Sequence, residues 1–406
     1  MNSLHLNSLR GAVLLPQVNA TTQFLPYAEI SWENQRILEI RELPRPRGPV
    51  PVLLPAFVDL HCHWPQAEVR GQFSGQLLPW LRESIWPTEA ELIDPQRAEH
   101  AIQSFLRQIV QAGTGAGLFF GTPFAETTPL FLQHTPRGFL EGPAIMTQNA
   151  PETLLRDLGT TLDQLQEVEP RLRDRVSIAP RFAPNLSTAD LHTCGEVARQ
   201  NHWAIQSHLS ENTDELAWVQ QLFPEAENYT DVYQRTGLLG PQTVMAHGIH
   251  LTDRELTVLA TTQTLIAHCP TSNEALGSGR MPLERLRQAE VPWVLATDVG
   301  AGPLLSQLHV MQTFLRIHAG HVSVTASEAL ARATAIPGAW LGQFSSDLNN
   351  LGTQLPGAPA HIVQLPPLAL DEDRHAETVL QRILGLPSTD FERLPERVVL
   401  WGELLV

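Results

Sequence analysis

The sequence predicts an α/β fold: a (β/α)8 TIM-like barrel with a small β-sandwich domain formed from both chain ends. Two observations carry this expectation. Between residues 54 and 354, apolar runs of strand length alternate with stretches of helical periodicity. On either side of that region the rhythm changes to short strands and turns, so residues 1–53 and 355–406 are expected to be the two parts of one small β domain.

The elements follow in order. Strands are expected at 28–32 and 36–40, and a proline-rich stretch at 44–51 marks a boundary. Barrel strands are expected at 56–60, 116–120, 144–147, 176–179, 204–207, 243–246, 264–267 and 293–296, with helices such as 99–111 and 190–200 between them. Strands return at 361–365 and 397–406. A doubly wound sheet shares this alternation, so the barrel rests on eight strands rather than on rhythm alone.

Composition limits the function. The chain has 406 residues, 43% of them hydrophobic, and a net charge of -16. It lacks the basic stripe that a nucleic-acid binder needs, so no nucleic-acid partner is expected and the substrate should be small and close to neutral. All 27 basic residues other than histidine are arginine. Without lysine there is no Schiff-base amine and no carboxylated lysine to bridge two metals. Cys62, Cys194 and Cys269 are widely spaced and form no CxxC pair. The N-terminal residues show no secretory pattern and no run reaches membrane-spanning length, so a cytoplasmic protein with no membrane partner is expected.

The chemistry is concentrated at predicted strand ends. Val58-Asp59-Leu60-His61-Cys62-His63 closes a hydrophobic strand. Alternation along a strand puts His61 and His63 on one face, where two imidazoles can share a cation. His208, His247 and Asp298 also end predicted strands, at the face where barrel enzymes carry their active sites. Buried together without a metal, these groups would be costly to desolvate. Three imidazoles and one carboxylate suit one zinc or ferrous ion with a position left for water. Glu211 follows His208 by three residues, where it can carry a proton for hydrolysis or simply favour a helix N-terminus.

Longer stretches then carry a family resemblance. They are Pro55-Ala56-Phe57-Val58-Asp59-Leu60-His61-Cys62-His63-Trp64-Pro65-Gln66, Ala179-Pro180-Arg181-Phe182, Gln206-Ser207-His208-Leu209-Ser210-Glu211-Asn212, Val244-Met245-Ala246-His247-Gly248, Ala267-His268-Cys269-Pro270-Thr271-Ser272-Asn273 and Thr297-Asp298-Val299-Gly300. In these the chain resembles the amidohydrolase superfamily, and within it the one-metal guanine deaminase family. The resemblance implies that His61, His63, His208 and Asp298 hold the metal. It implies catalytic roles for Glu211, Asp298 and His247, with His247 either positioning water and substrate or acting as a fifth ligand. Gln66, Arg181 and Phe182 would bind the purine, with Trp64 and Trp80 as further apolar surfaces, although Trp80 also reads as a core residue. Guanine and water are the implied reactants, and a homodimer the implied assembly. Other readings are action on another heterocycle (8-oxoguanine, a pterin or a triazine) and a barrel that binds without catalysis. The chain departs from the family at Pro356-Gly357-Ala358-Pro359-Ala360-His361, where a glycine-lysine pair is usual, and at Thr114-Gly115-Ala116-Gly117-Leu118.

Overall fold

A computed structural model describes residues 7–73, 75–370 and 375–406; residues 1–6, the start of the stretch read for a secretory pattern, lie outside it. The N-terminal part supplies β1 (Ser8–Pro16), β2 (Thr22–Glu33), β3 (Arg36–Glu42) and β4 (Val50–Pro55). The barrel region supplies β5 (Phe57–His63), β6 (Thr114–Phe120), β7 (Phe139–Gly142), β8 (Ala144–Ile145), β9 (Ser177–Pro180), β10 (Ala204–Leu209), β11 (Thr243–His247), β12 (Leu265–His268) and β13 (Trp293–Leu295). The C-terminal part supplies β14 (Ile362–Leu368), β15 (Arg397–Leu400) and β16 (Glu403–Leu404).

Strands β5 to β13 pair in parallel, in the orders β5-β6-β7 and β13-β12-β11-β10-β9-β8. Pro143 interrupts one stave into β7 and β8, so the nine segments make eight staves. A parallel bridge from Glu141 to Val176 joins the two groups on one side. On the other, Asp298 N–H donates to the His61 carbonyl at 2.9 Å and His63 N–H to the Val299 carbonyl at 2.6 Å. The barrel therefore closes through the residues expected to bind metal. Its staves are nearly continuous buried runs because helices cover them. The helix Pro95–Gln111 shows why: Asp94 caps it, proline opens it, and Ala98, Ile102, Phe105 and Ile109 recur on one buried face.

Both chain ends share one seven-stranded sheet in the order β16-β15-β14-β4-β1-β2-β3. Leu9, Val13, Ile30, Leu53, Ile362 and Val399 belong to a core of their own on one face. Ala12, Leu14, Val52, Leu54 and Val363 turn to the main core, as alternation requires. Three local expectations need correction. The division at 53/54 falls inside β4, which runs to Pro55 because it pairs with both β1 and β14. The single run at 397–406 is a hairpin, turned at Trp401-Gly402, both at positive φ. The C-terminal part also holds the helix Ala376–Leu384, whose end accepts Gln312 Nε2 from a barrel helix at 2.7 Å.

The two family departures meet in space. A Cβ on Gly115 would lie 2.9 Å from Ala56 Cβ and 3.0 Å from His361 Nδ1. Glycine in β6 thus makes room for the Leu400 and His361 side chains of the C-terminal part, with Leu400 Cδ2 the nearest at 2.5 Å from such a Cβ. No helix among the described residues is long and apolar enough to cross a membrane.

Candidate active site

The C-terminal ends of the barrel strands bring His61, His63, His208 and Asp298 together, and one ligand atom from each lies within 4.8 Å of the others. Asp298 Oδ1 is 3.1 Å from His61 Nε2 and 3.4 Å from His63 Nε2. His63 Nε2 is 3.2 Å from His208 Nε2. His208 Nδ1 donates to the Arg181 carbonyl at 2.5 Å, which leaves its Nε2 lone pair directed into the cluster. Burial pushes the His63 imidazole down to about 3 and that of His208 well below its ordinary range, so both stay neutral. Burial alone would raise Asp298, but the imidazoles of His61 and His63 outweigh it and hold the carboxyl well below the usual range. His61 is fully buried, its Nδ1 has no hydrogen-bond partner, and its Nε2 meets the Asp298 carboxylate. Neutral imidazoles and an ionised carboxylate converging on one point fit a bound cation.

Backbone conformation serves the same end. Ser210 (φ 52°), His247 (φ 74°) and Asp298 (φ 50°) all adopt the left-handed region, which costs energy for residues other than glycine. These turns direct the side chains at the barrel axis. His247 Nδ1 lies 2.9 Å from Asn273 Oδ1, and its Nε2 is 3.4 Å from Glu211 Oε2 and 3.8 Å from Asp298 Oδ2.

Beside this cluster lies a half-open cavity. His63, His208, His247, Glu211 and Asp298 form its floor, and Gln66, Arg181, Phe182 and Trp80 its walls, with Leu77, Leu81, Leu276 and Ala301 adding apolar surface. Trp64 is not among the lining residues. It stacks on Phe131, with ring centroids 5.9 Å apart, and donates its indole N–H to Glu141 at 3.3 Å. The turn that follows His63 sends Gln66 to the cavity and Trp64 into the core. Trp80 serves both roles weighed for it, as a lining residue and as a member of an apolar cluster.

Glu211 sits just before the helix Thr213–Leu222, whose cap is an Asn212–Glu215 box. Ser278 Oγ donates to Glu211 Oε1 at 3.1 Å. Burial, and then the charge of Asp298, push the Glu211 carboxyl up to about 8. Motif reading missed several partners. Glu89 accepts hydrogen bonds from both Arg181 and Gln66. Asp59, at the start of the HxH strand, accepts from Thr297 N and Oγ1 and so ties the first stave to the last. Asn273 carried a signal, since it ends one of the resembling stretches. Glu89 and Ser278 carried none.

The amidohydrolase family model matches residues 52–373. The guanine deaminase of Escherichia coli (strain K12) is 33% identical over 354 residues, covering 83% of this chain and 78% of the relative. The crystal structure of guanine deaminase from C. acetobutylicum, with guanine bound in the active site, superposes with a TM-score of 0.87 at 25% identity, covering 98% of this chain and 100% of that one. An adenosine deaminase from Xanthomonas campestris with bound zinc shares the fold at 22% identity and a TM-score of 0.76, covering 98% of this chain and 92% of that one. With these matches and a barrel whose strand ends converge on one cation-sized point, the chain belongs to the amidohydrolase family, alongside its guanine deaminases.

Proposed function

We propose that this protein is a guanine deaminase that converts guanine and water to xanthine and ammonia. The observation that carries the reading is a cavity that brings Gln66, Arg181 and Phe182 together with Glu211 and the converging ligand groups. His61, His63, His208 and Asp298 would hold a single zinc ion, and the same set accommodates ferrous iron. When bound, such an ion supplies Lewis acidity that makes water nucleophilic near neutral pH.

The side chains supply the rest. Arg181, permanently charged and rich in donors, binds the oxygen and ring-nitrogen edge of the base. Gln66 adds a hydrogen bond on that edge, and Phe182 and Trp80 flank the ring with apolar surface. Glu211 moves the protons. It accepts one from the water that attacks C2 and delivers it to ring nitrogen N3; it then carries the hydroxyl proton of the C2 adduct to the amino nitrogen, so that the C2–N bond breaks, ammonia leaves and C2=O forms. Ser278 holds one Glu211 oxygen, leaving Oε2 on the side of His247. His247, held by Asn273, orients the water and supports negative charge developing at C2. The homodimer and cytoplasmic location suggested by the sequence belong to the same proposal, and sedimentation and cell fractionation read them.

Ammonia release from guanine, 8-oxoguanine, a pterin and an amino-triazine, with metal content measured in parallel, tests this function. Guanine should turn over fastest. Glu211→Gln should lose at least about a hundredfold in kcat while binding the same metal. Turnover of another ring without guanine activity would replace guanine as substrate, and full activity in Glu211→Gln would remove that residue from the mechanism.

A further inference from the structure

Glu89 belongs to none of the motifs and is not one of the converging ligand groups, yet it is fully buried behind two residues that line the cavity, Arg181 and Gln66. It sits on the helix Trp86–Glu91, shortly after the segment whose Leu77, Trp80 and Leu81 line the cavity. Its Oε2 accepts from Arg181 Nη1 at 2.6 Å and its Oε1 from Gln66 Nε2 at 2.8 Å. Gln66 Oε1 in turn accepts the Gly300 N–H at 3.2 Å. Both partners of Glu89 are residues that read the substrate.

Two consequences follow. The Gln66 amide is fixed at both ends, so what it can still offer the cavity is the second N–H of Nε2. Arg181 gives one nitrogen to Glu89 and keeps the others for the cavity, so the wall presents donors to the acceptor edge of a ring. The second consequence concerns charge. Arg181 is buried and pairs with no other carboxylate among the described residues. Without Glu89 it would be a bare cation facing the cavity, and a bare cation in a low-dielectric wall favours an anionic ligand over a neutral one.

We propose that Glu89 is a positioning and specificity residue: it holds Arg181 and Gln66 as hydrogen-bond donors and cancels the Arg181 charge, so that the site takes neutral purines and discriminates against anionic ones. The inference rests on the guanine reading above.

The test uses the metal-loaded enzyme and its Glu89→Gln variant, which keeps the size of the side chain. The KM for guanine should rise about tenfold or more with kcat changed less than about threefold, because the ring-reading contacts loosen while Glu211 and the ligand groups stay in place. Urate, an anionic purine at neutral pH, should bind the variant at least about tenfold more tightly than wild type by calorimetry. In an Arg181→Gln background, adding Glu89→Gln should raise KM by less than it does in wild type, because only the hold on Gln66 is then left to lose. An unchanged guanine KM with unchanged urate affinity in the folded variant overturns the proposal, as does a double variant whose losses simply add. If Glu89→Gln does not fold, Glu89→Asp decides. It keeps the charge at shorter reach, so guanine KM should rise while urate stays excluded, and urate binding there overturns the proposal. Should wild type release no ammonia from guanine, the function is wrong, and the urate comparison still reads the charge cancellation by itself.

Discussion

Glu141 gives the molecule a measurable pH dependence of stability. The residue lies on β7, fully buried, with one oxygen accepting the Trp64 indole N–H at 3.3 Å and the other without a partner. Burial, which penalises the charged form, raises its pKa from 4.5 to about 7. The folded state thus holds this proton more tightly than the unfolded chain does. Its contribution to stability is complete below pH 4.5 and is lost as pH rises through 7. At about 1.4 kcal/mol per pKa unit, the difference amounts to roughly 3 kcal/mol, most of which falls between pH 5 and pH 8. Glu141→Gln removes the titration and keeps the shape. Any cost of seating the amide is independent of pH and cancels from the comparison. Urea unfolding of both proteins at pH 5, 6, 7 and 8 should therefore show wild type losing roughly 2–3 kcal/mol relative to the variant across that range. Parallel pH profiles would refute the reasoning, because they would mean that Glu141 ionises in the folded protein as readily as in the unfolded chain.

Other expectations are equally specific. Trp64→Phe should leave the KM for guanine within about twofold of wild type and cost about 1 kcal/mol of stability through the lost indole bond, because Trp64 points away from the cavity; a tenfold rise in KM would return it to the substrate site. Asn273→Leu should lower kcat about 10–100-fold with little change in KM, since the partner that fixes the His247 ring is gone; steady-state kinetics at saturating guanine read this, and an unchanged kcat would show that His247 needs no such support. Removing metal with a chelator should abolish ammonia release and lower the melting temperature, with up to about 4 kcal/mol of stability lost if the ion was present at a thousand times its Kd. Calorimetry and readdition of zinc check this, and a chelated protein with full activity would refute the metal requirement.

Much of the site was legible in the sequence because its chemistry is carried by residue types that rarely sit at strand ends for packing alone. An HxH pair and the strand-end positions of His208, His247 and Asp298 need only the period of a β-strand to place them on one barrel face. Arg181 and Phe182 were legible through the resembling stretch as residues facing a ligand, but the Glu89 partner of Arg181 was not. The eight barrel strands were visible as apolar runs and the N-terminal part as short strands, whereas the partners of β1 were not. Its pairing to β4 in parallel depends on a chain crossing that local pattern does not encode.

The sequence by itself determined the alternation of strands and helices, the absence of a lysine-bridged centre and the strand-end placement of His61, His63, His208, His247 and Asp298, because these follow from composition and short-range periodicity; the choice of four ligands among the five came from the family resemblance. Only the tertiary structure decided that Trp64 leaves the site while Gln66 enters it, that Gly115 and His361 accommodate each other, and that Glu89 closes an ion pair with Arg181. Each of those depends on residues tens to hundreds of positions apart meeting at one point. Burial there sets their charge states and partners, and burial is a property of the packed chain rather than of any segment of it.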